Sequence, residues 1–334
     1  MTLTTETGAA APVARRRPVS GPWPAYLRRR LIRLLISLWA LVTFSFLIIH
    51  LVPGDPIRAA LGLTADPALV AAKRAELGLD DPLIVQYLRY LGHLFTGDLG
   101  VSLGSRLPVG ETIVARLPNT VNLAVIAFVV IVLVAVPIGA LMAVFTRGGR
   151  NRFAELGFTS TAVVLAAIPE FLLSVGLVYV FAVKYDLLPI AGKTDWTSWI
   201  LPVTALVVGP AAGLARIVRV ETLSVLGDDF VRTARAKRLR PRLVYLRHVL
   251  PNALTATLTI GGLLLSALVA GTVLVETIFA WPGLGPTMVT AIINKDYPLV
   301  QGIVLVYGAL VLLINLVVDI VLALVDPRST IRDA

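Results

Sequence analysis

Apolar residues fall in six blocks along this chain, most of them near the roughly 20 residues that a helix needs to cross a bilayer at 1.5 Å rise. They predict spans at 31–52, 120–145, 156–183, 199–214, 253–275 and 299–324. Pro137, Gly139 and Pro169 lie inside these blocks, and membrane helices tolerate both residue types better than soluble ones do. The pattern predicts an all-α polytopic membrane protein of six transmembrane helices. Six crossings leave both termini on one side.

The polar intervals divide the rest. Residues 1–24 carry no hydrophobic period and predict a disordered tail, followed by a first transmembrane helix within 25–52. Pro53-Gly54-Asp55-Pro56 ends that helix, because Pro cannot continue it and Gly frees the backbone. Residues 53–117 are too polar to cross. Asp66-Pro67 predicts an N-cap with Pro at the first helical position, a short helix to Leu77 and a stop at Gly78. Asp81-Pro82 opens a second amphipathic piece with Leu83, Val85, Tyr87, Leu88 and Leu91 among its apolar positions. A Gly-rich stretch, FTGDLGVSLGS, follows. The remaining five helices form a core at 118–326, with a long basic loop at 216–250, and 327–334 is a short tail. Asp55 reads as a helix cap, and His50 as a satisfied residue at the end of the first span.

Charge orients the bundle. Short loops rich in Lys/Arg stay in the cytoplasm. Seven Arg crowd the start of the first span (Arg15, Arg16, Arg17, Arg28, Arg29, Arg30, Arg33), three sit in the loop TRGGRNR, nine lie between Arg216 and Arg247, and two close the tail. Nine remain for the other side, out of 30 in all. Both termini are therefore expected in the cytoplasm, with 53–117 an extracytoplasmic helical insertion.

Composition agrees and excludes. The 334 residues are 57% hydrophobic and 15% charged, with mean hydropathy +0.85; soluble domains average about 25% charged. A net charge of +10 would suit nucleic acid on a soluble surface, but here it is sorted by side of the membrane, so no nucleic acid is expected. There is no Cys and only three separated His, so no disulfide, thiolate site or His-based metal site is expected. No short apolar core precedes an Ala-x-Ala site, so no cleaved signal is expected. No GxxxxGK[ST] phosphate loop occurs, nor a nucleophile elbow or carboxylate pair that would support catalysis.

The most polar run of the second half is DDFVRTARAKRLRPRLVYLRHVLPNAL, 228–254. Ala234 and Ala236 keep a helix slim and allow close approach. Arg232, Arg235 and Lys237 can meet acidic groups at an interface rim, where charge steers and sets register. The same charges would also suit a loop lying on anionic headgroups, and sequence physics leaves both readings open.

DFVRTARAKRL (229–239), followed by LRHVLPNAL, resembles the cytoplasmic EAA loop of ABC importer permeases, and more narrowly that of the dipeptide/oligopeptide/nickel class. LVPGDP (51–56), QYLRYLGHLFTGDLGVSL (86–103), VETIFAWPGLG (275–285) and KDYPLVQG (295–302) resemble the same class in the same order. The resemblance covers roughly 26–328. It implies the type I importer permease fold in the cytoplasmic (inner) membrane, and no enzyme activity in this chain. It implies as partners a second homologous permease, two cytoplasmic subunits that hold ATP and Mg, and an extracytoplasmic substrate-binding protein, with membrane lipid around the bundle. Di- or oligopeptides are the implied cargo; a nickel chelate or another small solute is the alternative. A secondary transporter or membrane-embedded enzyme would need several converging intramembrane ionisable residues, and mid-span there is only Glu170.

The resemblance also assigns residues. The loop should form two short helices around a Gly and dock on an ATPase through Asp229, Arg232, Thr233, Ala234, Arg235, Ala236, Lys237 and Arg238. Its Glu-Ala-Ala positions fall on Arg232, Thr233 and Ala234, and Arg at the first is usual for the peptide class. The Gly position holds Arg238, a departure: if the turn needs φ > 0, a long side chain there costs about 1–2 kcal/mol. Glu276, Trp281, Pro282 and Gly283 fall in the family's outer loop. An outer gate, a docking surface and a plain re-entrant turn all fit them. Glu170 at mid-span costs at least about 2.5–3.5 kcal/mol on insertion scales, so it should face the bundle interior or a water-filled path. There it either lines the translocation path and attracts a cationic group such as a peptide amino terminus, or is a buried hydrogen-bonded acid near Pro169. Asp319 and Asp326-Pro327 mark the inner end of the last span.

Overall fold

The computed structural model describes residues 22–51, 57–58, 65–76 and 78–325. The readings made on residues 1–21, Pro53-Gly54-Asp55-Pro56, Leu77 and 326–334, and on the side chain of His50, lie outside the described residues. The described residues form helices joined by turns and loops, with one isolated antiparallel bridge between Val101 and Pro108. In order the helices are α1 (Pro22–Leu51), α2 (Pro67–Glu76), α3 (Leu83–Phe95), α4 (Val109–Phe145), α5 (Arg152–Ala167), α6 (Glu170–Leu177, widening into a π-turn over Val178–Lys184), α7 (Ile200–Val225), α8 (Asp229–Ala236), α9 (Leu250–Ile278), α10 (Leu284–Ile293) and α11 (Tyr297–Val325). Five of them, α1, α4, α7, α9 and α11, are long and apolar enough to cross a bilayer; α5 and α6 together make a sixth if counted as one bent span.

The third predicted span is the main correction. It is not one helix: α5 and α6 meet at 90°. Pro169 crowds the backbone of the residue before it and disfavours the α region there. Ile168 accordingly turns extended, with φ −73° and ψ 120°, and α6 starts afresh at Glu170.

Several helices outrun their apolar blocks. α1 begins at Pro22, inside the predicted tail. α4 begins at Val109 rather than 120, because Val109 and Ile113 bury against Leu284, Leu299 and Ile303. α7 continues past 214 to Val225, carrying Arg216, Arg219 and Glu221 in helical register. In the polar insertion, Asp66 caps α2 as expected, accepting the Ala68 N–H at 2.9 Å, and Gly78 takes φ +63° beyond its end.

The core is a seam between α4 and α7. On α4 the buried positions Leu123, Ala127, Ile131, Ala135, Gly139 and Ala143 recur every fourth residue, which places them on one face. They meet Ala211, Leu214, Ala215 and Val218 of α7, and Leu268 and Val275 of α9 join the same core. Small residues let membrane helices approach closely where lipid supplies no hydrophobic drive. A Cβ on Gly139 would overlap the Ala215 carbonyl oxygen and stand 2.7 Å from the Val218 Cβ.

α1 lies outside this core against α11. Its Tyr26 hydroxyl donates to the Asp319 carbonyl at 3.0 Å, and Arg30 pairs with the Asp319 carboxylate. Further along, Phe46 packs edge-on against Tyr87 of α3, 5.2 Å between ring centres. The Gly-rich loop after α3 is pinned to the start of α11. Asp296, 3% exposed, accepts the Ser102 hydroxyl and the N–H groups of Leu103 (3.0 Å) and Gly104 (3.1 Å).

Gly139→Val should lower stability by about 1–3 kcal/mol through overpacking, read as a lower thermal midpoint of the purified protein. Gly157→Ala, on α5 with open space around it, should leave the midpoint unchanged or raise it.

Candidate functional site

The basic loop folds as a small platform on the ends of two long helices. Asp228, in extended backbone (φ −68°, ψ 152°), precedes α8. Val231 and Ala234 fall three residues apart on one face and are buried against Leu226, Val244 and Val249. Leu226 closes α7 and Val249 leads into α9, so the bed of α8 is made from those two helix ends. Asp229, Arg232, Thr233, Ala236, Lys237 and Arg238 face outward, and Arg235 is half-buried. Arg232 reaches Asp229 at 3.4 Å, with both side chains highly exposed; such pairs contribute little.

α8 ends in a Schellman motif. The Leu239 N–H bonds to the Ala234 carbonyl at 3.4 Å and the Arg238 N–H to that of Arg235 at 2.9 Å. Leu239 packs on the same apolar bed, the contact that accompanies this cap. The motif needs a left-handed residue at its turn, and Arg238 supplies it with φ +52°. Glycine usually holds such a position because it has no Cβ to strain. A second helical piece, Pro241–Leu243 and a π-turn at Val244–Val249, then joins α9.

The platform is tied to a neighbouring helix by groups that sequence reasoning did not single out. Arg219 of α7, 9% exposed, donates from Nε (3.1 Å) and Nη2 (3.0 Å) to the Thr146 hydroxyl, and from Nη2 to Glu155 Oε1 at 2.7 Å. Arg147 donates to the Leu226 carbonyl at 3.2 Å. Arg219 counts in the sequence as one loop charge among nine. Its place two turns inside the end of α7 is the one signal that it is a different kind of residue.

At the opposite end of the bundle, Glu276, Trp281 and Gly283 are buried, Glu276 and Trp281 with no exposed surface, and Pro282 is exposed. Glu276 Oε2 accepts the Gly285 N–H at 2.7 Å. The Trp281 indole donates to the Asn119 carbonyl at 3.3 Å, and Asn119 Nδ2 to the Pro282 carbonyl at 2.8 Å. Trp199 meets Trp281 edge to face at 4.5 Å, and Lys193 lies over both rings while donating to Asn119 Oδ1 at 2.9 Å. A Cβ on Gly283 would overlap the Glu276 carboxylate. These residues knot the α9–α10 turn to α4 and to the loop before α7.

Glu170 stands apart from both ends. It is the first residue of α6, just past the 90° break, and half-buried. It lines a cavity of about 340 Å³ whose other walls are mostly apolar: Ile168, Gly209, Gly213, Ile217, Ile260 and Leu264 among them. The structure therefore brings the loop residues together on one platform and the outer-loop residues in one knot, with Glu170 on a cavity between.

Two family descriptions match nearly the whole described chain: "binding-protein-dependent transport system inner membrane component" over 135–331, and its membrane-component N-terminal counterpart over 25–124. The glutathione transport system permease protein GsiC of Salmonella paratyphi A is 39% identical over 303 residues, covering 90% of this chain and 97% of that one. GsiC of Pectobacterium atrosepticum is 39% identical over 302 residues with the same coverage. Among solved structures, the MetNI methionine ABC transporter in an inward-facing conformation superposes with a TM-score of 0.55 at 21% identity. That match covers 65% of this chain and 97% of that one, and likens the fold.

Two outcomes follow. Arg238→Gly should relieve the left-handed strain and stabilise α8 by about 1 kcal/mol, seen as slower amide exchange across 231–239; faster exchange would mean that the arginine side chain itself holds the turn. Glu155→Ala should destabilise the protein by about 1–3 kcal/mol by stranding the buried Arg219. Adding Arg219→Met should recover part of that loss in the same melting assay.

Proposed function

This chain belongs to the family of binding-protein-dependent transport system inner membrane components, and from that premise we propose that it passes short peptides or peptide-like solutes into the cell. As a family member it is a multi-pass permease subunit of an ABC importer in the inner membrane. It is non-catalytic, and nucleotide hydrolysis belongs to partner chains. Several relatives are glutathione permeases at 36–39% identity, which favours a small peptide-like cargo.

The observation that carries the coupling part of this reading is the build of α8. Its apolar face is spent on the ends of α7 and α9, and its other face offers a slim surface of Thr233 and Ala236 rimmed by Asp229, Arg232 and Lys237. A partner that grips this surface moves two bundle helices at once. In our reading the partner is one of two cytoplasmic subunits that bind ATP and Mg, and Arg238 meets an acidic group on it. The lysine and arginine asymmetry of the sequence supports a cytoplasmic place for this platform and both termini. A second, homologous permease completes the path, and a substrate-binding protein delivers cargo to the far side, near the knot of Glu276 and Trp281. That knot works as an outer gate by holding the α9–α10 turn against α4. Arg28, Arg29 and Arg33, exposed at the same end as α8, meet anionic headgroups.

The cycle is alternating access. ATP closes the ATPase pair, α8 is carried with it, and the ends of α7 and α9 shift so that the bundle opens outward. The chain supplies a path and a lever.

Because the protein has no cysteine, a single Cys at Thr233 or Ala236 is a unique handle. A short crosslinker at either site in intact membranes should capture an ATP-binding subunit, more in one nucleotide state than the other. Failure to capture any such subunit from both sites would end the docking assignment.

A further inference from the structure

The cavity at the α5–α6 break is mainly apolar, yet a carboxylate faces it. The Glu170 carboxylate has no ion-pair or hydrogen-bond partner among the described residues. Gly271 of α9 leaves room beside it: a Cβ there would stand 3.0 Å from Glu170 Oε2. Gly209, Gly213 and Ile217 line the α7 wall at intervals of four residues. Arg216 follows Gly209 by seven residues and Gly213 by three, so it sits on the edge of the same face. It is exposed and likewise without a partner among the described residues.

We infer that this cavity is a way-station for a short zwitterionic peptide, Glu170 receiving the ammonium end and Arg216 the carboxylate end. The spacing supports the assignment. Gly209 is level with the end of α5, its Cβ position 3.5 Å from the Leu165 carbonyl oxygen, and Glu170 follows that end directly. From Gly209 to Arg216 the helix rises about 10 Å. An extended chain covers about 3.3–3.6 Å per residue, so the interval suits two or three residues. The 340 Å³ volume lies in the lower part of the range typical of small-ligand sites. Apolar walls tolerate varied side chains, while the two charges read only the ends that such peptides share. The order of the charges also sets a direction: the carboxylate end leads toward the basic end of the bundle.

This inference rests on the peptide reading above and is tested apart from it. The whole importer, with both permeases, its ATPases and its binding protein, is reconstituted in vesicles. Initial uptake is measured at saturating loaded binding protein for a tripeptide, its N-acetyl form and its C-amide. Glu170→Gln should lower the free-to-acetylated rate ratio about tenfold, and Arg216→Gln the free-to-amidated ratio similarly. Glu170→Asp should retain most of the preference. Each ratio is taken within one variant, so the amount of folded complex cancels. Unchanged ratios in both Gln variants, with the wild type carrying the tripeptide, would overturn the way-station alone. A wild type that carries none of the three would overturn the peptide reading itself.

Discussion

The close approach of α4 to α7 is the constraint on which the rest of this structure depends. In lipid, apolar side chains gain little by meeting one another, since the tails around them are as apolar as they are. Helices then hold together through contact at short range, and short range needs small residues. The fourfold repeat that runs from Leu123 through Ala127, Ile131, Ala135 and Gly139 to Ala143 provides such a face. With the backbones this near, the end of α4 and the last turns of α7 lie side by side. That proximity lets a buried arginine on α7 bond to Thr146 just past α4 and to Glu155 early in α5. A wider seam would leave Arg219 stranded from both.

The two ends of the bundle are joined by different chemistry. At the end opposite α8, single buried carboxylates collect N–H and hydroxyl donors from loops near and far in sequence. Asp296 gathers residues 102–104, and Glu276 gathers Gly285. Hydrogen bonds of this kind are directional and costly to leave unmade, so they fix a loop in one arrangement. At the basic end α8 instead seats its Val231 and Ala234 on a bed of Leu226, Val244 and Val249. Apolar contact is non-directional, and such a bed can tilt without breaking a named bond. The motifs that share a family resemblance in sequence thus converge in space: the Gly-rich stretch with KDYPLVQG through Asp296, and VETIFAWPGLG with Asn119 and Thr120.

The spans were legible because the bilayer leaves so few options to a long apolar run. Their ends were not. Val109 and Ile113 of α4 are helical because Leu284 and Ile303 cover them, and coverage is a tertiary fact. The charges on α7 beyond Leu214 looked like loop because hydropathy falls there, although helical backbone continues. Pro169 is plain in the sequence, but its consequence is not: an extended Ile168 turns the apolar block through a right angle. A turn of the family's form needs a left-handed residue at Arg238 only if it closes as a Schellman motif, and the bonds to Ala234 and Arg235 show that it does. The Arg219–Glu155 pair was invisible, since no spacing in sequence joins positions 64 residues apart.

Where a displacement of α8 would travel follows from the stiffness of each joint. The first joint, the apolar bed, transmits compression well and shear poorly, because side chains at close-packed density resist approach more than sliding. The next, Leu226, is the cap of α7 and is held from the side by Arg147. The last turns of α7, past Pro210, would move together, and Arg219 would carry Thr146 and Glu155 with them through three directional bonds. Through Glu155 the motion would enter α5, a helix of 16 residues that ends at the extended Ile168. Beyond that break no continuous hydrogen-bonded helix links α5 to α6, so rotation of α5 changes the angle at Ile168 and Pro169 more readily than it bends either helix. The residue carried at that angle is Glu170. A lever arm thus ends at the carboxylate on the cavity, and the load reaches it through the proline break.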